Sequence, residues 1–192
     1  MATAITASYA ATQRSAPEAP RRRGFLTYVS RLVNVVRLAG KPQHRRRVRQ
    51  SRRVLSTLRR FKGPHAAAQA FSYLRQVDPL VFEEVAMSAL EDAGALVLRS
   101  RRYTGDGGVD GRCWFPWAGL RTIAVQVKRF DAAVTPNDVR DFCAVVKDRG
   151  YAGGIFVHCG RSGPKTYDAL RGRPVQLVSG QRLLDCFVRS FV

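Results

Sequence analysis

Residues 153–159, GGIFVHC, run without a single charged side chain, the pattern of a short strand of the buried type. Upstream, RTIAVQVKRF (121–130) reads as another strand. A helix over about 136–149 separates the two, with Pro136 in its first turn after Thr135 and Gly150 just past its end. Earlier, Asp78-Pro79 gives a capping acid and a first-turn proline, predicting a helix over 79–93 that Gly94 closes. Its candidate core positions are Leu80, Val81, Val85, Met87 and Leu90. ALVLRSRR (95–102) and VDGRCWF (109–115) read as strands on either side of the glycine-rich turn TGDGG (104–108). Pro116 and Ala118-Gly119 predict a hairpin connection to the strand at 121–130. SGPKTYDAL (162–170) reads as a short helix, VQLV (175–178) as a strand and 180–191 as a closing helix, with Leu183, Leu184, Phe187 and Val188 on one side. The order is α-β-β-β-α-β-α-β-α, an α/β fold with a central mixed sheet flanked by helices.

What precedes this pattern differs in charge. The chain has 192 residues and a formal charge of +19, a length that suits one domain plus an additional segment. Residues 1–76 hold 17 Lys/Arg and one acid, Glu18, and so carry +16, whereas residues 77–192 carry +3. The sequence thus divides into three parts. Residues 1–24 are Ala/Thr/Ser/Pro-rich and predict a disordered tail. A basic helical extension over 25–76 follows, and a nearly balanced domain covers 77–192. In FLTYVSRLVNVVRLA (25–39), Phe25, Val29, Leu32 and Val36 keep helical spacing, with Arg31 and Arg37 among the other faces, and Gly40 and Pro42 end the helix. Arg45-Arg46-Arg47 leads into a helix over 46–61, and Gly63-Pro64 precedes an alanine-rich helix at 65–76. Such a segment is a DNA-binding arm, a membrane-surface helix, an organellar transit peptide, or a solvated extension whose charge only aids solubility. No apolar run is long enough to span a bilayer, and no apolar h-region marks a Sec-type signal. Phosphate contacts are expected of Arg45, Arg46, Arg47, Arg52 and Arg53, and of Arg129 in the balanced domain.

Cys113, Cys143, Cys159 and Cys186 include no CxxC pair, and His44, His65 and His158 lack metal-site spacing. A zinc centre is not expected, and scattered thiols fit a reducing compartment.

Side chains alternate along a strand, so Ile123, Val125 and Val127 share one face while Thr122, Ala124, Gln126 and Lys128 share the other. An amide and an ammonium side by side have a bland reading, the wet outer face of an edge strand. The other reading comes from Asp110, which follows the loop Gly105, Asp106, Gly107 and Gly108 and can reach Gln126-x-Lys128 across a hairpin. The Asp110 carboxylate, the Gln126 amide oxygen and the Val127 backbone carbonyl are three hard oxygen ligands of the kind Mg²⁺ requires. An ammonium such as that of Lys128 binds no metal but stabilises an anionic transition state.

VFEEVA (81–86), GDGGVDG (105–111), QVKRF (126–130) and GGIFV (153–157) together resemble the Mrr-like, type IV restriction endonucleases of the PD-(D/E)xK nuclease superfamily. The resemblance spans roughly residues 77–190 with the motifs in the family's order. It implies a Mg²⁺-dependent (or Mn²⁺-dependent) DNA endonuclease on a restriction-endonuclease-like αβββαβ core, with Asp110, Gln126 and Lys128 as catalytic residues. A supporting first-helix glutamate falls on Glu83, with Glu84 the adjacent alternative. Asp106 is read as shaping the glycine turn. Gln126 stands where much of the superfamily has glutamate, leaving the negative charge to Asp110 and Glu83. HCGRSG (158–163) and VSG (178–180) also depart from the family pattern.

The expected partner is double-stranded DNA, foreign or methylated, in a bacterial cytoplasm at the nucleoid. Double-strand cutting with one site per chain favours a homodimer. A structure-specific repair or recombination nuclease, and a non-catalytic DNA-binding protein on the same fold, are the alternatives. Trp114, Phe115 and Trp117 either stack on bases or pack the hairpin.

Overall fold

Five strands pair in the order β1 (Leu96–Arg99), β2 (Gly111–Trp114), β3 (Ile123–Lys128), β4 (Gly153–His158) and β5 (Val175–Val178). The first three are mutually antiparallel, and β3, β4 and β5 run parallel. This is the mixed sheet predicted from the sequence. The computed structural model describes residues 25–37, 41–100, 108–129 and 133–188. The expected tail over 1–24, the Arg21–Arg23 run and the turn residues Gly105, Asp106 and Gly107 lie outside the described residues.

Helices cover both faces. On one face α2 (Pro42–Leu58), α3 (Ala66–Gln76), α4 (Pro79–Asp92) and α7 (Gly180–Val188) bury a core with Val97, Cys113, Ile123, Val125, Val127, Ile155 and Val157. On the other face α5 (Pro136–Asp148) packs through Val139, Phe142 and Val146 on Ala124, Phe156 and Leu177. The strand alternation anticipated for β3 therefore holds, with helices on both faces and only the Gln126 and Lys128 end partly open to water. β3 is also central, so Gln126 and Lys128 do not sit on the wet face of an edge strand. Gly154 lets α5 come this close: a Cβ there would stand 2.7 Å from the Phe142 ring and 2.8 Å from Val146. The short α6 (Pro164–Asp168) lies beside α5 and is fixed by Thr166 Oγ1 donating to the Val134 carbonyl at 2.9 Å.

The basic extension is part of this fold. Pro42 starts α2 rather than ending the preceding helix, because a proline at the first helical position gives up no intrahelical bond. α2 and α3 bury Leu55, Leu58 and Leu74 in the same core as the sheet. A fully buried leucine contributes about 1.5–3 kcal/mol, so this is a structural layer and not a loosely attached arm. α1 (Phe25–Arg37) meets the sheet by its polar side. Ser30 Oγ and Asn34 Nδ2 donate to the Val97 carbonyl at 2.9 and 2.6 Å, and Asn34 Oδ1 accepts from the Arg99 N–H at 3.2 Å. These bonds satisfy the open edge of β1. The stripe that includes Leu32 and Val36 faces outward, 53% and 67% exposed.

The connection from β2 to β3 is a 3-10 turn at Pro116–Ala118 closed by Gly119 at φ 80°. Trp114 Nε1 donates to Thr122 Oγ1 at 2.9 Å, and the Phe115 and Trp117 rings meet tilted at 5.4 Å between centroids, with Trp117 itself exposed. Among the described residues no helix is long and apolar enough to cross a membrane.

Candidate active site

The register that pairs Gly111 with Val125 places Asp110 opposite Gln126, at the point where β2 stops pairing with β3. There the Asp110 N–H donates to the Val125 carbonyl at 2.9 Å, and its carboxylate Oδ2 accepts from the Val127 N–H at 2.6 Å. The side chain thus replaces a ladder carbonyl and is pinned to the edge of β3. Since a strand residue directs its N–H and C=O to the same edge, the Val127 carbonyl also faces this side. Asp110, Gln126 and Val127 come together as the sequence predicts.

Gln126 is fitted tightly. Gly108, at φ +79°, carries its backbone over the amide, and a Cβ there would lie 2.9 Å from Nε2. Gln126 Oε1 is buried and accepts no hydrogen bond from the described residues. Among those residues no three His, Cys, Asp or Glu side chains gather to hold a metal. The oxygen donors at hand are therefore one carboxylate, one amide and one backbone carbonyl, a hard set that fits a divalent magnesium-like ion at reduced negative charge.

Lys128 ends β3 on the same face and reaches α5, where Nζ lies 3.2 Å from Asp138 Oδ1. Asp138 also completes a capping box with Thr135, accepting from the Thr135 N–H at 3.0 Å and from its Oγ1 at 2.7 Å. Burial pushes the Asp138 carboxyl up, but the Thr135 bonds and the Lys128 charge outweigh it and hold it below the usual range. Asp138 is the residue the sequence reading missed. Thr135-x-x-Asp138 is visible as a capping box, yet nothing in it announces a lysine ten positions upstream. His158, for which the sequence offered no metal-site spacing, pairs with Lys128 where β3 meets β4. Burial pushes its imidazole down to about 4 against the pull of Asp138, so it is neutral at pH 7, with Nε2 2.8 Å from Ser162 Oγ.

The two glutamates of α4 separate clearly. Glu84 is buried in an ionic cluster, with Oε2 accepting from Arg99 Nε at 2.8 Å and Oε1 2.9 Å from His44 Nε2. Burial raises its pKa, but His44 and Arg99 outweigh that and lower it. Glu83 is half-buried on the same helix, in the layer across the sheet from Gln126 and Lys128.

The expected phosphate-binding arginines also divide. Arg45, Arg46 and Arg53 are exposed on α2, and Arg47 is half-buried. Arg52 binds Glu91 and Asp92, and Arg129 donates to the Arg75 carbonyl, so both guanidinium groups are engaged within the chain. The Cys113 and Cys186 thiols, pushed up by burial to about 12 and about 11, are unsuited to nucleophilic work.

No curated protein sequence matches this chain. Two solved structures resemble it. The MspJI restriction endonuclease in complex with a 27-mer oligonucleotide is 22% identical over 65% of this chain and 32% of its own, with a TM-score of 0.44. The DNA modification-dependent restriction endonuclease AspBHI is 17% identical over 69% of this chain and 37% of its own, with a TM-score of 0.48. The chain thus corresponds to about a third of the length of either. The model of the Mrr catalytic domain, described as a restriction endonuclease, matches residues 74–187, from the end of α3 through the whole sheet to α7. With that match on the same segment that carries Asp110, Gln126 and Lys128, the chain belongs to the Mrr catalytic-domain family of restriction endonucleases.

Proposed function

We propose that this chain is a Mg²⁺-dependent DNA endonuclease, with Mn²⁺ as a substitute, that hydrolyses phosphodiester bonds and restricts foreign or methylated DNA. The observation that carries the reading is the Gln126 amide oxygen, buried without a donor among the described residues and opposite the Asp110 carboxylate. An acceptor left in that condition costs about 1–3 kcal/mol, and a cation relieves it as a proton donor does. A divalent ion held by Asp110, Gln126 and the Val127 carbonyl supplies a Lewis acid for the scissile phosphate and acidifies a nucleophilic water.

The chain's own groups do the rest. Asp110, fixed through Oδ2 to the Val127 N–H, keeps its carboxylate at the edge of β3. Lys128 brings an ammonium to the same face, and Asp138 holds it in place until a phosphate competes for it. Of the two α4 glutamates, Glu83 is the proposed supporting acid, standing in the layer across the sheet from Gln126 and Lys128, while Glu84 binds Arg99 and His44. Arg45, Arg46 and Arg53, together with the exposed Arg49, present phosphate contacts from α2, whereas Arg52 and Arg129 serve the fold.

The test is cleavage of methylated plasmid, unmethylated plasmid and branched DNA by one purified preparation. Cutting is expected with Mg²⁺ or Mn²⁺, none with EDTA, and methylated plasmid is expected to be cut best. Cutting that persists in EDTA rejects the metal-dependent reading, and a preference for branched DNA moves the enzyme from restriction to repair.

A further inference from the structure

On the face of the sheet that carries Gln126 and Lys128, α5 and α6 enclose a groove of about 450 Å³. Arg140 of α5, Lys165 of α6, and Arg171 and Arg173 from the turn before β5 line it, and all four are exposed. The acid there is Asp168, which pairs with Arg171 at 3.1 Å. Four cations against one carboxylate leave a net +3 in a small space, and the fold does little to offset it. Arg140 donates to the neutral Asn137 amide oxygen at 2.7 Å, and Arg173 meets the Cys143 thiol. Such an assembly repels itself and is suited to a polyanion.

Its position says which polyanion. Pro136, the first residue of α5, lines the groove, and within the same helical turn Asp138 holds the Lys128 ammonium. The groove and the Lys128 ammonium therefore flank the first turn of α5 from its two sides. Beyond the four cations and Asp168, its lining is Pro136 and Ala169, which offer neither an aromatic platform nor an amide edge to read a base. The site is built for phosphate and is indifferent to sequence.

We infer that the α5–α6 groove is a phosphate track, which takes the backbone of the DNA strand where it leaves the catalytic centre. This rests on the nuclease reading above. The track runs from the first turn of α5 to the turn before β5 and holds the strand without help from the basic α2. It also gives the near-neutral part of the chain a DNA contact of its own.

The experiment measures binding of the full chain to a labelled duplex, long enough to run from the centre through the groove, as a function of salt in EDTA. The groove variant Arg140→Gln/Lys165→Gln/Arg171→Gln is compared with wild type. A control, Arg121→Gln/Lys147→Gln/Arg182→Gln, removes three exposed cations outside the groove. With three phosphates no longer neutralised, the slope of log affinity against log salt is expected to fall by about 2–3, and affinity at low salt by at least about tenfold. The control is expected to keep the wild-type slope. Unchanged slope and affinity in the groove variant, in a wild type that binds and cuts, overturn the track and leave the nuclease standing. An equal loss in the control overturns it too, by showing only a response to net charge. The charge-preserving Arg140→Lys/Arg171→Lys variant is expected to bind as wild type does, and a loss there assigns the effect to packing and rejects the inference. A wild type that neither binds nor cuts DNA rejects the nuclease reading and the track with it.

Discussion

Two of the polar groups in the described interior, one around α4 and one at the edge of β2 and β3, are completed in opposite ways. Around α4, the acids Glu84, Glu91 and Asp92 meet Arg99 of β1 and Arg31, Arg52, Arg59 and His44 of the N-terminal helices. Ser88 adds bonds to Arg99 Nη2 at 3.2 Å and to Ser51 Oγ at 2.9 Å. Each acid has at least two partners, and Glu84, Glu91, Arg99 and His44 are closed off from water while Arg31, Arg52 and Arg59 cover them from the solvent side. At the edge of β2 and β3, by contrast, one carboxylate is tied to a backbone N–H and one amide oxygen is buried with no donor among the described residues. Buried charges persist when paired, so the first group is explained by the fold itself. The second is not, which is why it is the better candidate for chemistry. Burial and charge alone would have ranked them the other way round.

The contrast is broken most directly at Asp110. Asp110→Ala is expected to lower plasmid cleavage on the order of a thousandfold, by analogy with the loss of a transition-state-stabilising group. DNA binding is expected to stay near wild type, and stability to fall by no more than about 1–3 kcal/mol, which the lost acceptor of the Val127 N–H accounts for. Retained cleavage removes the site from β2 and β3 altogether. Arg99→Ala is the reciprocal test in the α4 cluster. It leaves Glu84 and Glu91 buried without their shared guanidinium, at a cost of about 3–5 kcal/mol of stability. Urea unfolding measures this, and cleavage per folded molecule is expected to persist. A stable Arg99→Ala protein with no activity would mean that the α4 cluster is catalytic and the comparison inverted.

Much of this was legible in the chain, and the reasons differ by residue. The strand at β3 declared itself because Gln126 and Lys128 interrupt an apolar alternation at period two, a local signal. Asp110 was legible because it starts a strand that the Pro116–Gly119 connection folds back onto β3. The element order also followed from local signals, among them the Asp78 cap, Pro136 and Gly150. The fate of the arginines was not legible. Arg52 and Arg53 are neighbours of the same type, yet one binds Glu91 and Asp92 and the other faces water, according to which side of α2 meets α4. Glu83 and Glu84 pose the same problem one helical step apart. The role of α1 was not legible in its spacing: the apolar stripe faces outward, and an open strand edge binds Ser30 and Asn34 more usefully than leucine, since only polar groups satisfy backbone.

The smallest effect, and the one that sharpens the contrast most finely, concerns Asp138, because it belongs partly to both groups. It is a satisfied structural acid in its capping box and a tether for Lys128 at the site. Its folded pKa lies below the usual 3.8, so its stabilisation is fully present above that value and is lost as pH falls through the folded pKa. Asp138→Asn keeps an oxygen for the Thr135 cap but removes the charge opposite Lys128. With both side chains partly open to water, the expected cost is about 0.2–1 kcal/mol at pH 7. The gap between wild type and variant is expected to close towards pH 2, where both carry a neutral side chain at this position. Urea unfolding at the two pH values tests this, and an equal gap at both would show that the charge contributes nothing. Cleavage by the variant is expected to fall several-fold at pH 7, as the ammonium loses its tether. If stability changes as described while cleavage does not, Asp138 belongs with the α4 acids as a purely structural group, and Lys128 finds its working position unaided.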